Sequence, residues 1–254
     1  MRVLPILGKL AFATFLVALA IGIVSAAGTR LGVWDYHIGL MAMFPWCVFV
    51  ALGAVALALV WIVIAVIKGT GEGARWAMSA LIGAIVLLYT PLTAISNASG
   101  MPHIHDITTD IDYPPQFDTL LPLRQGAETP PDYDGAIRVR DNGVLHSTSY
   151  LQRKYYGDIY PRGILLPPTK VFWRAFRAAK GMGWNIVSFD PNTGRIEATD
   201  TSFFFGITDD IVIRVKPSGQ GARVDVRSKS RINQPDLGRD AQGIRDFFKR
   251  LGAM

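Results

Sequence analysis

Residues 38–67 read IGLMAMFPWCVFVALGAVALALVWIVIAVI, a stretch of 30 residues without a single Asp, Glu, Lys or Arg. Two further uncharged apolar runs, Leu10–Ala27 and Trp76–Ala98, lie on either side of it. A helix needs about 20 apolar residues to cross a hydrocarbon core of about 30 Å, and backbone amides in lipid must be paired. The sequence therefore predicts three transmembrane helices within residues 1–98, at about 10–27, 38–67 and 76–98.

Basic residues that flank these runs predict the orientation of the helices. Lys and Arg accumulate in the cytoplasmic loops of membrane proteins. Arg30 is the single basic residue between the first two runs, whereas four lie on the opposite side: Arg2, Lys9, Lys68 and Arg75. We therefore expect an integral protein of the inner (plasma) membrane, with a cytoplasmic N-terminus and an extracytoplasmic, or periplasmic, C-terminal domain.

The first run has an alternative interpretation as a cleaved signal peptide. Arg2 and Lys9 resemble the charged start of such a peptide, and Ser25–Ala27 resembles a small-residue cleavage site. Cleavage would leave two helices, and the predicted side of the C-terminal domain would not change.

The part of the chain after the helices is nearly balanced in charge, with 21 basic and 18 acidic residues. This balance argues against nucleic acid as a partner, because nucleic-acid-binding domains concentrate basic residues on one surface. The one cysteine, Cys47, lies in the second apolar run. The C-terminal domain therefore has no disulfide, and its stability depends on a hydrophobic core.

Residues 99–133 form a proline-rich segment, which we call the strap. Its six prolines predict an extended and stiff chain. The strap contains His103, His105, Asp106 and Asp110, and an extended chain could bring these side chains to one metal ion. Their spacing matches no standard zinc pattern, and the alternative is a polar strap whose Asp and Thr side chains cap local turns. Both interpretations stay open.

Residues 134–254 have the periodicity of an α+β domain. Val144–Tyr150 is compatible with a strand, and Val171–Ala179 has apolar residues at helical spacing. Leu237–Leu251 predicts a second amphipathic helix. Four strand-like runs joined by turns lie between the helices: Trp184–Asp190, Arg195–Ser202, Asp209–Lys216 and Ala222–Arg231. The fold class is three N-terminal transmembrane helices plus an α+β domain. Its antiparallel sheet has about four or five strands and is flanked by an N-side and a C-terminal helix.

One face of this sheet is predicted to be polar and charged. Guanidinium groups bind phosphate and carboxylate well, so the face is a candidate anion site. The candidate ligand-binding residues are Arg214, Arg227, Ser228, Ser230, Arg231 and Asp236, with Glu197, Asp209 and Asp210 as possible acidic partners. The alternative is a solvated sheet face with cross-strand ion pairs.

Several ordered motifs resemble a known family. The first is Ile104-His-Asp-Ile-Thr-Thr-Asp110, followed by Pro114-Pro115 and Phe117. The later ones are Gly183-Trp184, Gly194-Arg-Ile-Glu-Ala-Thr199, Asp209-Asp210, Val224-Asp-Val-Arg-Ser228, Ser230-Arg231 and Asp236-Leu-Gly238. Together these stretches resemble the domain of unknown function 1499 over residues 103–251. The resemblance implies that bacterial members often join this domain to N-terminal membrane helices, and it implies that the strap packs on the domain. Position 240, where the family motif has Asn, is Asp in this chain.

No catalytic motif accompanies these features. Ser228 and Ser230 lack a Gly-x-Ser-x-Gly elbow, and no phosphate-binding glycine loop is present, so no catalytic residue and no cofactor are predicted. The favoured function is a membrane-anchored, non-enzymatic envelope module. Besides the lipid bilayer, its partners would be an anionic lipid, another envelope ligand or a membrane protein. The alternatives are a metal-dependent hydrolase of envelope substrates that uses the strap residues, and a structural subunit of a membrane complex.

Overall fold

The computed structural model describes residues 3–98, 100–234 and 238–253. Three residues with predicted roles, Arg2, Asp236 and Leu237, lie outside these ranges. The chain forms two compact units. The first unit consists of Met1–Asn97 together with Phe203–Gly206, and the second of Ala98–Ser202 together with Ile207–Met254.

Three long helices make up most of the first unit. Helix α1 spans Val3–Arg30, α2 spans Phe44–Lys68 after a π-helical turn at His37–Met43, and α3 spans Ala74–Ala98. All three are long and apolar enough to cross a membrane. The prediction of three N-terminal helices of transmembrane length is confirmed.

Small residues line the contacts between these helices. Ala11 on α1, Ala58 on α2 and Ala80 on α3 are all fully buried and form one cluster. Ala18, Ala51 and Leu88 form another, one helix turn or more away along the helices. Alanine lets two helix backbones approach closely, which favours packing in lipid, where the hydrophobic effect between helices is absent.

The second unit is built on a six-stranded sheet. Its strands are β1 (Asp106–Thr108), β4 (Arg162–Ile164), β5 (Asn185–Asp190), β6 (Arg195–Thr201), β7 (Thr208–Ser218) and β8 (Gly221–Ser230). The order is β1-β8-β7-β6-β5, all antiparallel, and β4 also pairs with β8. A separate hairpin joins β2 (Arg138–Asp141) to β3 (Val144–Ser147).

Helices cover one face of the sheet. They are α4 (Thr148–Tyr155), α5 (Pro168–Gly181) and α6 (Arg239–Gly252). Phe172 of α5 and Phe247 of α6 are fully buried against Ile213 and Val226 of the sheet. The sheet side chains in this core come from alternate positions of β7 and β8, and the α+β fold class is confirmed.

The predicted strand Val144–Tyr150 is wrong in its second half. The strand ends at Ser147, whose hydroxyl accepts a hydrogen bond from the amide of Tyr150 (3.3 Å) and begins helix α4. A serine that caps a helix satisfies an amide that the first turn leaves without a partner.

The strap covers the other face of the sheet. Its β1 strand pairs with β8, with Asp106 opposite Lys229, and its 3-10 helix Leu121–Arg124 lies over the centre of the sheet. Phe117 and Leu120 of the strap bury Val212 in a second, smaller core. The expectation of a solvated polar sheet face is therefore wrong for its centre, which the strap covers, whereas Arg223 at its edge stays partly exposed.

Candidate functional site

Arg227 of β8 lies at the centre of the covered face. Its side chain is fully buried, and its Nε and Nη2 donate to the two carboxylate oxygens of Asp106 at 2.8 and 2.9 Å. Strand β1 creates this pair by placing Asp106 beside β8. A bidentate guanidinium–carboxylate pair is the strongest ion-pair geometry that proteins use.

The remaining Arg227 donors bind the strap backbone. Nη1 donates to the carbonyl oxygen of Pro115 (3.2 Å), and Nη2 donates to that of Pro131 (2.8 Å). The guanidinium also lies 4.6 Å from the centre of the Phe117 ring. One side chain of the sheet therefore contacts four separate points of the strap, so an external anion would have to displace Asp106 to reach Arg227.

A second buried pair lies toward the 3-10 helix. Asp210 accepts hydrogen bonds from Arg231 at 2.7 and 2.9 Å and from Arg124 of the strap. Arg124 also donates to the hydroxyl of Thr129 (2.7 Å). Burial lowers the pKa of Arg124, and the charge of Asp210 opposes that shift. Arg124 is a functional contact that the sequence did not single out, because its acidic partner is 86 positions away.

The edge of the same face carries four alternating charges. Arg214 and Arg223 both donate to Asp225, at 2.9 and 2.8 Å, and both also bind Asp110 of the strap, at 3.1 and 2.6 Å. The Asp110 carboxylate additionally accepts from the amide of Tyr113 (2.9 Å). Asp110 therefore caps a strap turn and pairs with the sheet at once.

Glu197 of β6 binds the strap through backbone amides. Its fully buried carboxylate accepts from the amides of Asp118 (3.0 Å), Thr119 (3.3 Å) and Leu120 (2.8 Å). Arg195 adds a charged hydrogen bond at 2.6 Å. The four donors offset the loss of hydration that a buried carboxylate suffers.

Two titratable groups under the strap are shifted by burial. Desolvation lowers the pKa of Lys229, whose ammonium lies 2.9 Å from an oxygen of Asp106. Desolvation raises the pKa of Tyr133 to about 12. The Tyr133 hydroxyl is buried and has no hydrogen-bond partner among the described residues. Burial under the strap is the main cause of both shifts.

The remaining predicted site residues lie elsewhere. Ser228 points to the helix side, where its hydroxyl donates to Asp240 of α6, and Ser230 is also buried. Asp209 faces the helix side as well and pairs with Arg239 (3.2 Å). The structure thus places Asp209 and Asp210 on opposite faces, and Asp236 is outside the described residues. The anion-binding role of this set stays a prediction.

The strap residues considered for metal binding do not come together. Asp106 and Asp110 bind different basic residues, and His103 is exposed. Within residues 3–98, 100–234 and 238–253, no group of three or more His, Cys, Asp or Glu side chains is placed to hold a metal ion. Asp110 caps a local turn at Tyr113, as the alternative interpretation expects of the strap, and Asp106 and Asp110 also pair with distant basic residues of the sheet.

A family model described as a protein of unknown function (DUF1499) matches residues 106–251, more than half of the chain. The chain belongs to this family. No curated protein matches the chain. The matched region begins at Asp106, the strap residue that pairs with Arg227, so the DUF1499 region includes residues 106–133 of the strap as well as the sheet and its helices.

The DUF1499 region also has an open cleft beside α6. The cleft has a volume of about 430 Å³, and its apolar lining includes Ile159, Ile164, Ile244, Phe248 and Leu251. The lining also includes three basic side chains and one carboxylate: Arg162, Arg245, Lys249 and Asp158.

The charges of this cleft are not balanced. Arg245 forms a bidentate pair with Asp158 at 2.6 and 2.8 Å, and that pair lowers the pKa of Asp158. The Arg162 guanidinium lies 4.0 Å from the centre of the Tyr160 ring and 5.6 Å from that of Phe248. In the part of the chain that the structure describes, neither Arg162 nor Lys249 has a carboxylate at ion-pair distance.

Sequence reasoning missed this cleft because its residues come from three separate places in the chain. Arg162 is in β4, Asp158 precedes that strand, and the remaining basic residues are in α6. One signal was present: Arg245 and Lys249 are four positions apart, next to the apolar Ile244 and Phe248. That spacing puts a basic stripe beside an apolar one on the same helix.

Proposed function

We propose that this chain is a membrane-anchored, non-enzymatic binding module whose DUF1499 domain binds an anionic amphiphile in the α6 cleft. The observation that carries the proposal is the pair of basic side chains, Arg162 and Lys249, that border an apolar cleft and form no ion pair among the described residues, although the charge of Arg162 also helps to lower the pKa of Asp158. The ligand chemistry would be a phosphate or carboxylate head with an acyl tail, which a lipid or another envelope amphiphile supplies.

Charge complementarity supports an anionic head. Arg162 is oriented by aromatic rings, so its hydrogen-bond donors remain available to a ligand. Guanidinium donors match the oxygens of phosphate and carboxylate. The Arg245–Asp158 pair is internally neutral, so Arg162 and Lys249 give the cleft its net positive charge.

The apolar lining supports a tail. Small-molecule sites are concave and mostly apolar, with a few polar groups that orient the ligand. Ile159, Ile244 and Leu251 are almost fully buried and line the cleft, and Phe248 is partly buried beside them. An acyl chain placed against the partly buried Ile164 and Phe248 would remove their remaining apolar surface from water, and the other three side chains close the floor of the cleft.

The covered polar face supports a binding module rather than an enzyme. Its acidic and basic groups bind one another and the strap, as in the Arg227–Asp106 and Arg231–Asp210 pairs. General acid–base chemistry needs a titratable group within reach of a substrate. Among the described residues of this face, the central groups are shielded by the strap, and on the helix side Ser228 is buried next to Asp240.

The positive-inside pattern supports an extracytoplasmic position for the domain. A single exposed cysteine tests it: Gln220→Cys in a Cys47→Ala background adds a thiol at the exposed β7–β8 turn. A membrane-impermeant maleimide should label this thiol in cells whose plasma membrane is intact. Labelling only after permeabilisation would place the domain in the cytoplasm.

The ligand proposal is tested on full-length protein extracted with its native lipids into polymer nanodiscs. Native mass spectrometry should detect an anionic amphiphile that stays bound after release from the nanodisc. The double variant Arg162→Gln/Lys249→Gln should lose it.

The matched control is Lys170→Gln/Arg177→Gln, which removes the same charge from exposed positions of α5 that do not line the cleft. This control should keep the ligand. Equal retention by the wild type and both double variants would contradict the proposal, and so would loss in the control alone.

A further inference from the structure

The connection between β6 and β7 carries three consecutive phenylalanines, Phe203, Phe204 and Phe205. Phe203 is 79% exposed and Phe204 is 59% exposed. Two neighbouring exposed rings form an apolar projection that soluble surfaces seldom carry without an interaction partner. None of these residues belongs to the covered polar face or to the α6 cleft.

Hydrogen bonds hold the base of this connection. The amide of Ser202 donates to the carbonyl oxygen of Ile207 (2.8 Å), and the amide of Ile207 donates to the Ser202 hydroxyl (2.9 Å). Gly206 has a φ of 68°, a left-handed conformation that glycine adopts readily. The turn is therefore closed at its base, which holds Phe203 and Phe204 at the tip.

The Phe203–Gly206 segment belongs to the first compact unit, which is otherwise made of the apolar helices. Within that unit, Arg30 at the end of α1 donates through Nη1 to the carbonyl oxygen of Phe203 (2.7 Å). The Phe44 ring at the start of α2 lies edge-on to the Phe205 ring, with centres 5.3 Å apart. Arg30 is the last residue of one membrane-length helix, and Phe44 lies seven residues after His37, the first residue of the next, so both are near the point where a span meets the headgroup layer.

We infer that Phe203 and Phe204 insert into the interfacial layer of the membrane that holds this chain's own helices. Aromatic rings favour this layer because it accepts apolar surface beside polar headgroups. Because the helices of this unit cross the membrane, the lipid surface is the partner that we expect these two rings to contact. The inference does not depend on a ligand in the α6 cleft.

The test is a depth measurement on the full chain in lipid nanodiscs. Cys47→Ala leaves no other cysteine, and Phe203→Cys then carries a nitroxide spin label. Molecular oxygen concentrates in lipid, whereas a nickel chelate stays in water, so their relative collision rates with the nitroxide report its depth. We expect a higher oxygen-to-nickel ratio at position 203 than at a water-exposed control position.

The matched control is Gln220→Cys in the same background. Gln220 is exposed in the turn at the other end of the 11-residue strand β7. Because a strand rises about 3.3 Å per residue, the two ends of β7 are on the order of 35 Å apart. The Phe204→Cys variant repeats the test at the neighbouring ring in case position 203 does not tolerate the label.

Three outcomes decide the question. A lipid-like ratio at 203 or 204 with a water-like ratio at 220 supports insertion. Water-like ratios at both tip positions overturn it. A label at the tip that is shielded from oxygen and nickel alike also overturns it, because protein from a partner or a second copy would then cover the rings.

Discussion

Arg227 and Asp106 are 121 positions apart in the chain and form a bidentate ion pair at 2.8 and 2.9 Å. The arginine is fully buried in the sheet, and the aspartate begins the strand that the strap adds to that sheet. The pair joins the segment after the last membrane helix to the centre of the DUF1499 domain. Removing this ion pair by mutation is therefore the most direct test of what stabilises the domain.

Asp106→Ala should destabilise the domain strongly. The change leaves Arg227 charged, buried and without its carboxylate, and breaking a buried pair in this way costs about 3–5 kcal/mol. Thermal unfolding of the full-length protein in nanodiscs measures the loss. The control is Asp112→Ala, whose pair with Arg153 is exposed and should contribute under about 1 kcal/mol. Similar unfolding midpoints for the two variants would show that the buried pair has no special role.

Glu197→Gln should loosen the strap at a defined place. The neutral amide presents an NH₂ group where the backbone amides of Asp118 and Leu120 now donate, so at least one donor stays unsatisfied, at about 1–3 kcal/mol. Hydrogen exchange should accelerate at residues 118–120. Asp118→Asn, a change at an exposed side chain, should leave this exchange near wild type. Unchanged protection in Glu197→Gln would mean that other contacts hold this turn.

Tyr133→Phe should remove an alkaline loss of stability. Burial raises the pKa of the folded-state phenol to about 12 from an ordinary value of 10.0, so the folded state binds more protons between these values. Stability then falls as pH rises from about 10 to about 12. The Phe variant should lack this component when unfolding is measured across that range.

The same variant has a second expected effect at neutral pH. The Tyr133 hydroxyl is buried without a partner among the described residues, so its removal should stabilise the domain by about 1 kcal/mol. Tyr113→Phe is the control at neutral pH, because Tyr113 is 78% exposed and its hydroxyl should contribute little to stability. A destabilised Tyr133→Phe would indicate that the hydroxyl has a bonded water.

Gly194→Ala should destabilise the β5–β6 hairpin. Gly194 has a φ of 68°, and a Cβ there would overlap the carbonyl oxygen of Val215. The expected loss exceeds about 1 kcal/mol, since strain and overlap add. Gly219→Ala separates the two causes, because Gly219 has a φ of 54° with no atom near the added Cβ. Its loss of stability should be smaller, and equal losses would show that overlap plays no part.

The periodicity of single segments predicted much of the fold. The predicted strand Asp209–Lys216 is observed as part of β7, with Ile211 and Ile213 on the helix side and Arg214 on the polar face. The prediction of a strand over Val144–Tyr150 was wrong after Ser147, because Ser147 ends the strand by capping α4. The residues that follow Ser147 are also typical of strands, so the sequence alone did not indicate this change. The length of the uncharged runs predicted the three helices. In lipid the backbone must pair all its own polar groups, and few structures other than a helix allow this.

The sequence by itself determined the three apolar helices, the α+β class and the set of charges on one sheet face, since each follows from the spacing of residues within a single element. Only the tertiary structure decided that this face is covered and that Asp106, Asp110 and Asp210 are bound to arginines. It also decided that Arg162 and Lys249 border one cleft. The physical reason is that ion pairs and clefts depend on which distant segments the fold brings together. A charged side chain has the same local pattern whether it faces water, a ligand or the protein's own strap.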